Sequence, residues 1–345
     1  MISRIIDERQ IDNLRKLLEN SDRIVITCHL SPDGDAIGSS LGLAHVLNAI
    51  GKRAVVVTPD SVPKHLRFLP GAKDVIVFSS YEDYATELLR EADVVFCLDY
   101  NEPKRVDRME NALMASTSPK VLIDHHLNPA DFTAVKISHP ESSSTAMLVF
   151  RVICRLELFD KIDRAAAECI YCGMMTDTGN FSYNSNEPDL YTVIAELLRK
   201  GIDKDAIYTR AMNTKSLNAM RLNGYAVGEK MELFADHSCA LISLTADELK
   251  RFGYEKGDTE GLVNQPLALP QVQWSVYLRE DPEQIKVSMR SKGNFPVNRV
   301  CKEQFGGGGH LNAAGGEFSG SMEECIKILK DSMKLYDEFL PKKAL

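Results

Sequence analysis

The chain has 345 residues, 44% hydrophobic and 26% charged, with 41 Lys and Arg against 49 Asp and Glu for a formal net charge of −8. That length and composition suffice for two buried cores, which excludes a disordered chain, and no apolar run approaches the roughly 20 residues needed to span a bilayer. The negative balance excludes a broad grip on long nucleic acid and favours a small or short anionic substrate held by metal or by a local basic pocket.

The first 22 residues read as an amphipathic helix without the apolar core of a secretory signal, so the expectation is a cytoplasmic protein with no membrane partner. The eight cysteines are scattered, and Cys169 and Cys172, a CxxC pair inside a helical pattern with no second CxxC, read as packing residues. The strand RIVITC (23–28) runs into a loop holding His29, Asp33 and Asp35, followed by a helical stretch that ends near Gly51. A strand at 54–58, a short apolar run at 75–78 and the helix YEDYATELLREA lead to the strand 94–98, which stops at Asp99. A helix around 104–115 then precedes the apolar run Val121, Leu122, Ile123, which stops at Asp124, His125 and His126.

This alternation predicts an α/β fold whose N-terminal domain is a doubly wound, mostly parallel sheet. Continuous apolar strands belong to sheets covered on both faces, and ligands bind outside the carboxyl ends of such strands. The His29–Asp35 loop, Asp99 and Asp124–His126 are therefore expected to converge.

Beyond His126 the pattern turns helical. Residues 140–145 look like a helix start, with hydroxyls suited to capping and free N–H groups suited to an anion. A helix over Asp163–Met175 ends in TDTGNF, which adds Asp177 to the candidate centre. Residues 188–225 read as a helical connector between a domain at 1–187 and a smaller α+β domain at 226–345. In the strand IKVSMR, Lys286, Ser288 and Arg290 share one face. The stretch NRVCKEQFGGGGHLNAAGGEF is predicted as a helix broken by Gly306, Gly307, Gly308 and Gly309 and resumed after His310. Consecutive glycines let the backbone approach a ligand and aim N–H groups at an anion, and His310 at the next helix start would donate to a phosphate.

His29, Asp33, Asp35, Asp99, His125 and Asp177 form a mixed imidazole and carboxylate set without thiolates. Such ligands suit Mn²⁺ first and Mg²⁺ or Co²⁺ next, and six of them suffice for two ions. A two-metal site would activate water and neutralise phosphoryl charge during in-line displacement, so the chemistry expected is phosphate ester hydrolysis.

These residues carry a resemblance. His29-xxx-Asp33-x-Asp35, Asp99, Asp124-His125-His126 and Asp177 resemble, in order, the four motifs of the DHH phosphoesterase superfamily, and GGGGH followed by AAGG resembles its DHH-associated C-terminal domain. Within that superfamily the chain is similar to the bacterial bifunctional oligoribonucleases and 3′-phosphoadenosine-5′-phosphate (pAp) phosphatases, the nanoRNases.

The resemblance implies that His29 and Asp33 bind one Mn²⁺, that Asp35, His125 and Asp177 bind the other, and that Asp99 bridges both. It implies that Asp124 orients its neighbours and that His126 faces the phosphoryl oxygens or the leaving group. Arg105 falls where members often carry an arginine. Arg290, the loop Gly307–Gly309 and His310 would clamp the substrate phosphate or nucleotide, with Ser288 as a weaker candidate, and Arg suits this because its planar fork matches phosphate oxygens. The implied substrates are short RNAs, dinucleotides and pAp, which is dephosphorylated to AMP, with no stable partner among long nucleic acids and a homodimer left open. A cyclic or linear dinucleotide phosphodiesterase is the alternative, and a catalytically silent nucleotide sensor is the reading from a different class.

Overall fold

The apolar runs of the N-terminal half become strands that are buried almost along their whole length, and successive residues enter different cores. In the computed structural model, which describes residues 3–341, Ile24 and Ile26 enter one core and Val25 between them enters another. A strand with this alternation requires cover on both faces. The elements are α1 (Glu8–Glu19), β1 (Arg23–Thr27), α2 (Gly34–Ala49), β2 (Arg53–Thr58), β3 (Ile76–Val77), α3 (Glu82–Glu91), β4 (Val94–Leu98), α4 (Glu110–Ala115), β5 (Lys120–Asp124), β6 (Val135–Ser138), α5 (Thr145–Arg155), α6 (Arg164–Asp177), α7 (Pro188–Arg199) and α8 (Lys204–Met212). Residues of α1, α2, α5 and α6 share the core of Ile24, while α3 and α4 share that of Val25. Cys169 and Cys172 are buried on α6 in the first of these cores.

The strands form a six-stranded sheet in the order β3-β2-β1-β4-β5-β6, with every neighbouring pair parallel. The α/β doubly wound expectation therefore holds. In this order the connections reverse direction between β1 and β4, the switch point at which such sheets open a crevice. The sequence reading missed β6, because its four residues, VKIS, are too few to establish a period. It also made one helix of 104–115, where the chain forms a tight helical segment over Pro103–Met109 that kinks at Asp107 (φ 49°) before α4 begins.

Helices α2 and α6 pack closely because Gly38 meets the backbone of α6. A Cβ at Gly38 would lie 2.5 Å from the Cys169 carbonyl oxygen and 2.7 Å from the Gly173 nitrogen, distances that only a glycine avoids.

The chain divides into two units, the first ending at Thr214 and the second starting at Lys215. Within the stretch 188–225, α7 and α8 belong to the first unit, where Leu190, Leu197 and Ile207 join its core. The second unit starts with α9 (Leu217–Gly228) and continues with β7 (Met231–Phe234), β8 (Cys239–Leu244), α10 (Ala246–Arg251), β9 (Trp274–Glu280), β10 (Ile285–Ser291), α11 (Val297–Phe305), β11 (Gly308–His310), β12 (Ala313–Phe318) and α12 (Met322–Ser332). Its mixed sheet has the order β11-β12-β10-β9-β8-β7, with only β8 and β9 parallel. Trp274 stacks on Phe295 in its core, with ring centroids 4.9 Å apart.

The segment after the glycines corrects the sequence reading. No helix resumes at His310; β11 and β12 form an antiparallel hairpin. Glycine is what allows the two backbones so close: a Cβ at Gly307 would sit 2.0 Å from the Gly315 carbonyl oxygen. Among the described residues, no helix is long and apolar enough to cross a membrane.

Candidate metal centre

Three strand ends and one helix end deliver the candidate side chains to the switch point. Leaving β1, His29 is buried, and its Nδ1 lies 2.8 Å from the Leu30 carbonyl oxygen. A carbonyl only accepts, so Nδ1 carries the proton and Nε2 is left as the basic nitrogen. That Nε2 lies 3.4 Å from Asp99 Oδ2 and 3.8 Å from Asp33 Oδ1. Asp33 also caps α2, its Oδ1 accepting from the N–H groups of Asp35 and Ala36, each at 3.0 Å.

Asp99 leaves β4 with φ at 63°, a left-handed conformation that costs a non-glycine residue energy and recurs at functional sites. Its N–H donates to the Ile123 carbonyl on β5, 3.1 Å away, and the residue is only 2% exposed. The two carboxylate oxygens face different partners. Oδ2 faces His29, whereas Oδ1 lies 3.6 Å from His125 Nε2 and accepts from the Thr145 hydroxyl at 2.9 Å.

Leaving β5, His125 repeats the arrangement of His29. Its Nδ1 donates to the Ser142 carbonyl at 3.2 Å, and its Nε2 lies 3.6 Å from Asp177 Oδ2, at the end of α6, and 3.9 Å from Asp35 Oδ2. Asp35 accepts from the N–H groups of Thr145 (2.6 Å) and Ala146 (2.8 Å) at the start of α5. The hydroxyl-rich helix start at 140–145 thus does both things expected of it. Ser144 caps α5, and the anion met by its free N–H groups is the protein's own Asp35. His126 Nδ1 donates to Asp124 Oδ1 at 2.7 Å, which fixes that ring.

Potential ligand atoms therefore gather in sets, each within 4.8 Å of one another: His29, Asp33 and Asp99; Asp35, His125 and Asp177; and Asp99, Asp124 and His126. The electrostatics favour added cations. Burial pushes Asp35 well up, reinforced by the charges of Asp99, Asp177 and Asp33. Burial likewise pushes Asp177 up to about 7. Burial also opposes the charge on Asp99, but the nearby imidazoles of His29, His126 and His125 outweigh it and hold this carboxyl below its usual range. His29 is raised for the reciprocal reason: burial lowers it, but the Asp33 and Asp99 carboxylates beside its Nε2 outweigh that and favour its charged form.

Residues 23–174 match the DHH family, N-terminal domain, and residues 240–335 match the DHHA1 domain. The bifunctional oligoribonuclease and PAP phosphatase NrnA of Thermus thermophilus is 33% identical over 297 residues, which cover 86% of this chain and 84% of that protein. The chain belongs to the DHH family. As a DHH protein it is a phosphoesterase, a hydrolase of phosphate esters, in line with the sequence motifs. The protein of the same name from Bacillus subtilis is 26% identical over 318 residues, covering 92% of this chain and 96% of that one. The crystal structure of an exopolyphosphatase-related protein from Bacteroides fragilis is 50% identical, with a TM-score of 0.95, covering 98% of this chain and 99% of that one.

The donor set of this DHH chain fits hard divalent ions, being carboxylate and imidazole throughout. Asp124 Oδ2 is buried with no hydrogen-bond partner among the described residues, an acceptor of the kind a charged centre retains. Arg105 lies beside the centre: its carbonyl accepts from Leu30 N–H at 2.7 Å, and its charge acts on His126. In the second unit, Arg290 on β10, Ala313 on β12 and His310 on β11 stand opposite one another in register. Ser288, Gly315 and Gly308 form the next row on that face. The hairpin thus brings Arg290 and His310 to one face, with Ala313 between them and two glycines in the next row. Sequence reasoning missed Thr145 as a partner of Asp99, since a threonine at a helix start carries no signal beyond capping.

Proposed function

We propose that this DHH phosphoesterase releases mononucleotides from very short RNAs and dephosphorylates pAp to AMP. The observation that carries the reading is Asp99, whose two oxygens face two separate ligand sets. The substrate class rests on the named activities of the Thermus and Bacillus relatives. His29, Asp33 and Asp99 would hold one divalent ion, and Asp35, His125, Asp177 and Asp99 the other, with Mn²⁺ the preferred metal and Mg²⁺ or Co²⁺ as substitutes. Bound there, such ions would neutralise phosphoryl charge and make water a competent nucleophile near neutral pH.

The protein's own groups do the rest. Asp124 accepts from His126 Nδ1 and keeps that ring oriented towards a phosphoryl or leaving-group oxygen. Arg105 adds positive charge beside His126. Arg290, His310, Ser288 and the Gly307–Gly309 backbone bind the substrate phosphate or nucleotide from the second unit.

The test is Mn²⁺-dependent hydrolysis of pAp, an RNA ladder of about two to five nucleotides, cyclic di-AMP and pyrophosphate, beside an Asp99→Ala control. Turnover of pAp and short RNA that vanishes in the control is the expected result. Turnover confined to cyclic di-AMP or pyrophosphate would overturn the substrate assignment, and no turnover at all would favour a silent sensor.

A further inference from the structure

The loop that follows Asp177 adopts an expensive conformation. Gly179, Asn180 and Phe181 have φ of 54°, 56° and 61°, three left-handed residues in succession, two of them not glycine. The turn is held in place from several sides. Asn180 N–H donates to the Met175 carbonyl at 2.8 Å, Phe181 N–H donates to the Thr178 hydroxyl at 3.1 Å, and the Phe181 ring packs 5.8 Å from that of Tyr171.

The consequence of this turn is the position of Tyr183. Its N–H donates to the carbonyl of Thr178, the residue next to Asp177, at 3.2 Å. Its ring lies against Gly179, where a Cβ would come within 2.2 Å of it. The residue is 51% exposed. Other aromatic residues near the site motifs in sequence are unsuitable. Tyr100, directly after Asp99, is buried, and so are Phe295 and Phe305 in the second unit. Leu30 and Leu127, which follow His29 and His126, are both exposed and add apolar surface beside the same motifs.

An exposed aromatic residue whose backbone is tied to Thr178, next to the ligand candidate Asp177, offers a flat apolar ring, which a phosphate or a ribose does not need and a nucleobase does. We propose that Tyr183 is the stacking platform for the base attached to the bound phosphate, and that it makes this enzyme prefer nucleotides over phosphate esters without a base. The assignment rests on the nucleotide reading above. Stacking is tolerant of base identity because every base has a π-face, which suits an enzyme acting on short RNAs of any sequence.

The experiment compares equilibrium binding of AMP and ribose 5-phosphate, in Mn²⁺, to the wild type, Tyr183→Phe and Tyr183→Leu. The wild type is expected to bind AMP roughly 5- to 100-fold more tightly than ribose 5-phosphate, the range that stacking of one base supplies. Tyr183→Leu brings AMP down to the level of ribose 5-phosphate without changing the latter, and Tyr183→Phe stays within about twofold of the wild type. For a dinucleotide, Tyr183→Leu raises KM by a similar factor and leaves kcat nearly constant. Equal losses for AMP and ribose 5-phosphate, or no loss for either, in an enzyme that hydrolyses pAp overturn the Tyr183 assignment alone. A wild-type enzyme that hydrolyses neither pAp nor a dinucleotide overturns the substrate reading, and this proposal with it.

Discussion

His29, His125 and His126 stand within one centre, yet what holds each ring separates their chemistry. His29 and His125 give Nδ1 to backbone carbonyls, whereas His126 gives it to the Asp124 carboxylate. Burial lowers the proton affinity of His126, but the Asp124 hydrogen bond and the Asp99 charge outweigh it and raise the ring above its usual value. A ring so supported suits proton donation to a leaving group. His126→Ala is expected to lower turnover by about 10²- to 10⁴-fold while metal content, measured by elemental analysis, stays near that of the wild type. Equal losses of both would make His126 a ligand.

Asp177 sets a pH dependence of the metal-free protein. Its carboxyl rises from the usual 3.8 to about 7 through burial. Between those values the native state holds a proton that the unfolded chain has lost, so stability falls as pH rises through that window. In a chelator, the wild-type Tm should therefore decline from about pH 5 to 7, and Asp177→Asn should flatten the decline. Mn²⁺ should restore stability most at the upper end, and a wild-type Tm that rises with pH would contradict this.

The centre is assembled by elements in fixed contact, foremost α2 and α6, which carry Asp35 and Asp177. Gly38→Ala would press a Cβ against the backbone of α6 and force the two helices apart. The expected cost is about 1–3 kcal/mol, read from denaturant unfolding, with a parallel drop in Mn²⁺ affinity as the two carboxylates separate. Gly224 on α9 is the contrast, because a Cβ there meets nothing within 4 Å. Gly224→Ala should stabilise by up to about 1 kcal/mol, as expected where glycine in an exposed helix is replaced by alanine.

Elements also differ in how far their sequences disclosed them. Strands β1, β4 and β5 were legible because buried parallel strands write continuous apolar runs that stop at polar residues. The hairpin β11–β12 was not, because Gly, Ala and His carry no two-residue period, and backbone approach rather than side-chain pattern fixes the pairing.

Across the whole chain the candidate residues fall in both units, so their contributions separate. Arg290→Ala removes a guanidinium from the second unit and is expected to raise KM for pAp several-fold or more, while Mn²⁺ content is unchanged, because the six residues proposed as ligands, His29, Asp33, Asp35, Asp99, His125 and Asp177, lie in the first unit. Calorimetric Mn²⁺ titration beside steady-state kinetics measures both. A loss of Mn²⁺ binding in this variant would end the division of roles between the two units.

The order of residues alone determined the fold class, the strand ends that carry the centre, and the donor types, since each depends on a local pattern. It also placed Arg290 and Ser288 on one strand face, through the two-residue period of β10. Only the tertiary structure decided which oxygen of Asp99 faces which histidine, that the α5 N-terminus receives Asp35, and that Tyr183 alone among the aromatic candidates keeps an exposed ring. These depend on the order of β1 and β4 at the switch point, on the approach of α2 to α6 and on the left-handed turn after Asp177, and each joins or reorients residues through contacts that no local period records.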